Sequence, residues 1–211
     1  MARGSFREQV LRAREVAIVA AVNRLLAEKG FEAMTVDAVA AEVGIAKASL
    51  YKHFKSKEDL AAAAMIGVLD RALALIETLQ KDAGKNERGR LEAIARWAMQ
   101  AQLAGEMPSL PAQNSALRSA LMANKDYIDR VMQVSDLLGA WIIAAQQAGQ
   151  LDPSLPPEVL LYTVYSRACD PVLSMLKASA NHTDEQIIQM LLSTCFHGLA
   201  GLPTAVIRQA A

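Results

Sequence analysis

Four helix stops and starts crowd into one stretch of this chain: Gly30, Thr35, Gly44 and Ser56. Glycine tolerates the positive φ that ends a helix, and a threonine or serine oxygen accepts a hydrogen bond from a first-turn amide. Together they confine residues 36–43 and 47–54 to two short helices held between two long ones. The first long helix is expected over 6–29, where Val10, Ala13, Ala17, Ile18, Ala21, Val22 and Leu25 recur at helical spacing ahead of Gly30. The second opens at Ser56, which heads a Ser-Lys-Glu-Asp capping box over 56–59, and runs to about Asp82.

The rest of the chain carries the same signature. Glycine and proline stretches at 84–89, 107–111 and 149–157, with the Asn181–Thr183 segment, read as loops. Helices are expected between them, near 90–104, 113–122, 124–148, 157–179 and 184–199, the last opened by a Thr183/Gln186 capping box. Pro171 falls inside the penultimate one and is expected to kink it near Arg167. Aromatic residues are only 5% of the chain and no alternating strand pattern occurs, so the expected fold is all-α, with about nine helices. Two regions are expected, 1–56 and 57–211.

Two short helices joined by a tight glycine turn form a helix-turn-helix, here over about 35–54, whose second helix can enter a DNA major groove. The crossing needs a small side chain, supplied by Ala40, and the turn needs positive φ, supplied by Gly44. Leu50, with Ile45 and Phe54, falls on the inner face. Lys47, Ala48, Ser49, Tyr51, Lys52 and His53 then face outward, and these short, polar or cationic side chains are types that reach phosphates and base edges. Lys57 stands in the first turn of the next helix, near amides that also favour phosphate. A solvated helical hairpin would share the glycine turn, though not the anchor spacing and the basic residues together. The formal net charge of zero conceals a division: residues 1–57 hold ten Lys or Arg against six Asp or Glu, and residues 58–211 hold twelve against sixteen.

Other classes find little support. Charges such as Asp70, Arg71 and Glu77 interrupt every apolar run, so no membrane span is expected, and the charged start lacks a signal-peptide core. Two cysteines are too few for a disulfide framework, and a reduced, cytoplasmic setting is expected. Cys195 and His197 point in different directions on a helix, and no histidine or cysteine spacing suits a metal. Neither an enzyme nor a cofactor is expected.

Residues 35–60, TVDAVAAEVGIAKASLYKHFKSKEDL, closely resemble the DNA-binding signature of the TetR family of transcriptional regulators. The resemblance runs back through EVAIVAAVNRLLAEKGFEAMTVDAVA at 15–40 and covers about residues 12–72. It implies a homodimer that binds a palindromic double-stranded DNA operator, most simply as a repressor released by a small-molecule effector. A helical small-molecule-binding or scaffold dimer without DNA binding is the alternative. By the same resemblance Thr35, Tyr51, His53 and Lys57 become phosphate contacts, Lys47 and Ala48 open the recognition helix, and Lys52 stands where members vary. Arg3 and Arg7 become a minor-groove arm.

Beyond residue 72 the resemblance is one of length and helical pattern. Candidates for an effector pocket are the large side chains Trp97, Met107, Tyr127, Trp141, Tyr162 and Tyr165, and Arg96 or Arg167 could pair with an anionic ligand, although surface exposure or an internal ion pair explains both more simply. The last two expected helices are apolar on more than one face and need neighbours on most sides. That surplus, with the resemblance, points to a dimer interface at Leu161, Ala168, Val172, Ile188, Leu191, Leu192 and Cys195.

Overall fold

The structure, a computed structural model, describes residues 6–107 and 116–199, with side chains from Gln9 onward. Among the described residues every regular element is helical: α1 (Phe6–Ala33), α2 (Val36–Val43), α3 (Lys47–Leu50), α4 (Lys57–Lys81), α5 (Glu87–Leu103), α6 (Ala116–Ala123), α7 (Lys125–Gln147), α8 (Pro157–Ser166), a 3-10 turn (Arg167–Cys169), α9 (Pro171–Ser179) and α10 (Asp184–His197). The all-α expectation holds. The expected arm at Arg3 and Arg7 lies outside the described side chains.

The helix punctuation operates as its chemistry requires. Gly30 interrupts α1 at φ 73° and ψ 170°, so the long helix ends there and one further turn leads to Met34. Thr35 caps α2 by accepting from the Ala38 amide at 3.1 Å. Gly44 adopts the left-handed conformation, φ 72° and ψ 34°. Its own N–H donates to the Ala41 carbonyl at 3.2 Å and the Ile45 N–H to the Ala40 carbonyl at 3.0 Å, which satisfies the last carbonyls of α2. The second short helix is briefer than expected. Regular α3 is a single turn, and the chain reaches Phe54 through hydrogen-bonded turns in which the Leu50 carbonyl accepts from both His53 and Phe54. Ser56 forms half of its capping box: its Oγ accepts from the Asp59 amide, while the Asp59 carboxylate accepts from Lys55 rather than from Ser56.

Pro171 does more than kink its helix. It has no N–H to continue the ladder and its ring clashes with the turn before it, so α8 ends and α9 begins anew with Pro171 in its first turn. Asp170 caps the new helix, accepting from the Val172 amide at 3.0 Å. Thus α8 and α9 are the two halves of one expected helix. The Thr183/Gln186 box opens α10, with both reciprocal bonds made.

One core joins Ile18, Val22 and Leu26 of α1 with Val39 and Leu50 of the short helices. The same core holds Leu60 and Met65 from the start of α4, and Leu117 and Leu121 of α6. A boundary at residue 56 therefore passes through shared packing. Each fully buried Leu or Ile there contributes about 1.5–3 kcal/mol by leaving water. A second core lies among α4, α5 and α7, around Ile76, Leu91, Leu138 and Ile142. A third sets α5 against α9 and α10 through Ala95, Met99, Leu173 and Ile187.

Candidate nucleic-acid interface and internal cavity

Leu50, 1% exposed, is the peg that seats α3, and its burial turns the opposite side of the helix to solvent. Lys47, Ala48, Tyr51 and Lys52 are exposed there, with Ser49 partly covered. Lys52 forms no ion pair among the described residues. Lys47 donates to the Asp37 carboxylate of α2 at 2.8 Å, and that hydrogen bond raises its pKa above the ordinary lysine value. Thr35 uses a lone pair to cap α2, so its hydroxyl hydrogen stays available to an oxygen outside the protein.

Two of the expected phosphate contacts are built into the scaffold. His53 is half-buried, with Nδ1 3.2 Å from a carboxylate oxygen of Glu15 on α1. Lys57 donates to the Glu32 carbonyl at 3.1 Å, and its ammonium stands 4.3 Å from the centre of the Phe31 ring. It therefore ties α4 to the last turn of α1, beyond Gly30. Arg24 and Glu42 likewise pin α1 to α2, at 2.6 Å. No sequence reasoning identified Asp37, Glu15 or Glu42, because their partners lie ten to 38 residues away in the chain.

A cavity of about 250 Å³ opens among α4, α5, α7 and α8. Met65 and Val68 of α4, Ile94 and Ala98 of α5, and Val131 and Val134 of α7 form much of its wall. Of the six expected pocket residues, Trp97, Met107, Tyr127 and Tyr165 line it. The other two require correction. Trp141 is buried in the second core, with the Arg90 guanidinium 5.8 Å from its ring centre, and Tyr162 is 68% exposed on the outer surface. The Tyr165 hydroxyl lies 2.8 Å from Ser135 Oγ. Burial pushes the pKa of both Tyr127 and Tyr165 upward, so both remain neutral hydroxyls at physiological pH. Arg96 pairs with Glu185 at 2.8 Å and Arg167 with Asp170 at 2.7 Å.

Three of the seven expected dimer residues are buried within the chain itself. Ile188, Leu191 and Leu192 are buried against the chain's own Ala95, Met99 and Leu173, which leaves them nothing to offer a second copy. Ala168 lines the cavity, and Leu161 packs partly buried on the second core. Cys195 is half-buried, its thiol pKa pushed up by desolvation. Val172 alone of the seven is an exposed large hydrophobic. Val159, Tyr162, Met175 and Met190 are further exposed large hydrophobics on the same helices. Helical periodicity shows that α8–α10 have two apolar sides, but not which side the rest of the chain covers.

Residues 18–64 match the family model described as bacterial regulatory proteins, tetR family. The HTH-type transcriptional regulator YerO of Bacillus subtilis is 41% identical over 63 residues, 29% of this chain and 22% of that protein. The chain thus matches such relatives over only about a quarter of their length. Whole-chain similarity is structural. FadR, the fatty acid degradation regulator of Bacillus halodurans, superposes with a TM-score of 0.70 at 15% identity, covering 96% of this chain and all of that one. FadR of Bacillus subtilis, solved in complex with stearoyl-CoA, does so at 0.66 and 16%, covering 88% and 99%. At such identities the likeness establishes a shared fold. Residues 18–64 thus resemble the N-terminal helices of the tetR family of bacterial regulatory proteins, and the chain as a whole shares the fold of these solved structures.

Proposed function

We propose that this protein is a DNA-binding transcriptional repressor that acts as a homodimer and is released from its operator by a small molecule. The observation that carries the reading is the outward face of α3: Lys47, Ala48, Tyr51 and Lys52 project from a helix anchored by Leu50. Thr35, Ser49, His53 and Lys57 flank that face. In this reading the base edges meet the short side chains, while phosphates meet Thr35, Lys47, Tyr51 and Lys52. His53 and Lys57 hold α3 and α4 in place and lend their remaining donors. The N-terminal helices form the DNA-reading unit and the remainder binds effector and partner.

Exposed apolar side chains on α8–α10, Tyr162 and Met175 foremost, support a second copy as the occupant of that surface. Two recognition helices would then meet half-sites about 34–36 Å apart. The cavity, in a fold shared with a regulator crystallised with stearoyl-CoA, supports a small-molecule effector. No helix among the described residues is long and apolar enough to cross a membrane, which suits a cytoplasmic regulator. The test is footprinting of the purified protein on the DNA adjoining its own gene. Protection of a two-fold symmetric site supports the reading. Binding to no DNA in that assay, or in a selection from random duplexes, would leave a helical scaffold without a DNA role.

A further inference from the structure

We propose that the cavity takes a neutral, mostly apolar molecule of about ten non-hydrogen atoms with one hydrogen-bond donor: an alcohol rather than a carboxylate or a coenzyme A thioester. The proposal rests on the cavity being the effector site and names the chemistry that site selects. Size comes first. A cavity of about 150 Å³ takes the six carbons of benzene, so about 250 Å³ scales to about ten non-hydrogen atoms.

Charge comes next. Among the described residues no charged side chain lines the cavity. Three arginines around it are committed elsewhere: Arg71 to Glu106 at 2.7 Å, Arg130 to Asp70 at 2.5 Å and Arg167 to Asp170 at 2.7 Å. A carboxylate placed inside would lose its water without gaining a counter-charge.

The proton arrangement at Tyr165 supplies the polarity. Ser135 Oγ donates its one hydrogen to the Val131 carbonyl, 2.8 Å away. In the contact with Tyr165 at 2.8 Å, Ser135 must then accept and Tyr165 must donate. Tyr165 has spent its hydrogen, and its oxygen keeps only acceptor capacity. A ligand that meets this oxygen well brings a donor, and one that brings only an acceptor leaves the Tyr165 oxygen unmet.

The full chain carrying Trp141→Phe leaves Trp97, in the cavity wall, as the fluorescent reporter. It is titrated at pH 7.5 with 1-octanol, octyl methyl ether, octanoate and octanoyl-CoA. Octanol is expected to give saturable quenching, about tenfold tighter than octanoate or octanoyl-CoA and about fivefold tighter than the ether. Tyr165→Phe should erase the alcohol–ether difference while leaving ether affinity unchanged. Octanoate or octanoyl-CoA binding as tightly as octanol overturns the proposal. So does an alcohol–ether gap that survives in Tyr165→Phe, or the absence of saturable octanol binding. Release of DNA is read separately by mobility shift on a selected duplex. Octanol that binds without releasing DNA sustains the ligand chemistry and removes the effector role.

Discussion

At the recognition face the most consequential single residue is an acid. Asp37 sits at the start of α2 and accepts from Lys47 at 2.8 Å, so in the proposed reading the cation that DNA would meet is already partly neutralised. A phosphate that takes Lys47 must compete with Asp37, and Asp37 itself repels the duplex. Asp37→Asn is therefore expected to tighten binding a few-fold. Lys47→Ala should weaken it and reduce the slope of log affinity against log salt by about 0.9. Both are read from mobility shifts across a salt series. An unchanged affinity for Asp37→Asn would place Lys47 away from phosphate. Gly44 offers a different residue-scale test. A Cβ there meets nothing within 4 Å, so Gly44→Ala is opposed by φ alone. Its expected cost is about 1–2 kcal/mol in a denaturant melt, with the anchor residues untouched.

Among the elements, the break between α8 and α9 concentrates the most chemistry. Asp170 is 4% exposed, caps α9 through Val172 and pairs with Arg167, itself largely buried. Asp170→Ala removes the cap and strands the guanidinium, with an expected cost of about 3–5 kcal/mol. Asp170→Asn keeps a capping oxygen and should recover part of it; equal losses in the two variants would mean that the cap contributes nothing. This break also shows where reading from sequence ran out. Caps at Thr35, Ser56 and Thr183 and stops at Gly30 and Gly44 were legible because each acts on amides within a few residues of itself. That Pro171 severs the helix instead of bending it goes with the 3-10 turn at Arg167–Cys169, which packs on α5 and which no local pattern encodes. The cavity wall was hidden for a related reason. Val68, Ala98 and Val131 look like core in sequence, and only their arrangement leaves a space between them. Aromatic size pointed to Trp97 and Tyr165 but equally to Trp141, which is buried in the second core.

For the molecule as a whole, zero net charge separates into a basic head and an acidic body, which in the proposed reading would favour one docking orientation on DNA. Tyr127 links the two parts: it packs against the core of α1, α4 and α6 and also lines the cavity. In the proposed reading, affinity for an operator depends on more than one head. A single α3 would touch one half-site, and joining two copies would make the second contact intramolecular, raising affinity by about 10²–10⁴-fold. The surface available for that joining includes Tyr162 and Met175, each 68% exposed. Because neither supports the chain's own core, the double variant Tyr162→Glu with Met175→Glu should keep the helical circular dichroism and melting temperature of the parent. Sedimentation at micromolar concentration should move from dimer to monomer, and operator affinity should fall about a hundredfold or more, while weak non-specific DNA binding persists. If the variant remains dimeric, the second copy sits on another face. If it becomes monomeric with operator affinity intact, each head reads DNA alone and the two-fold symmetric operator has no physical basis.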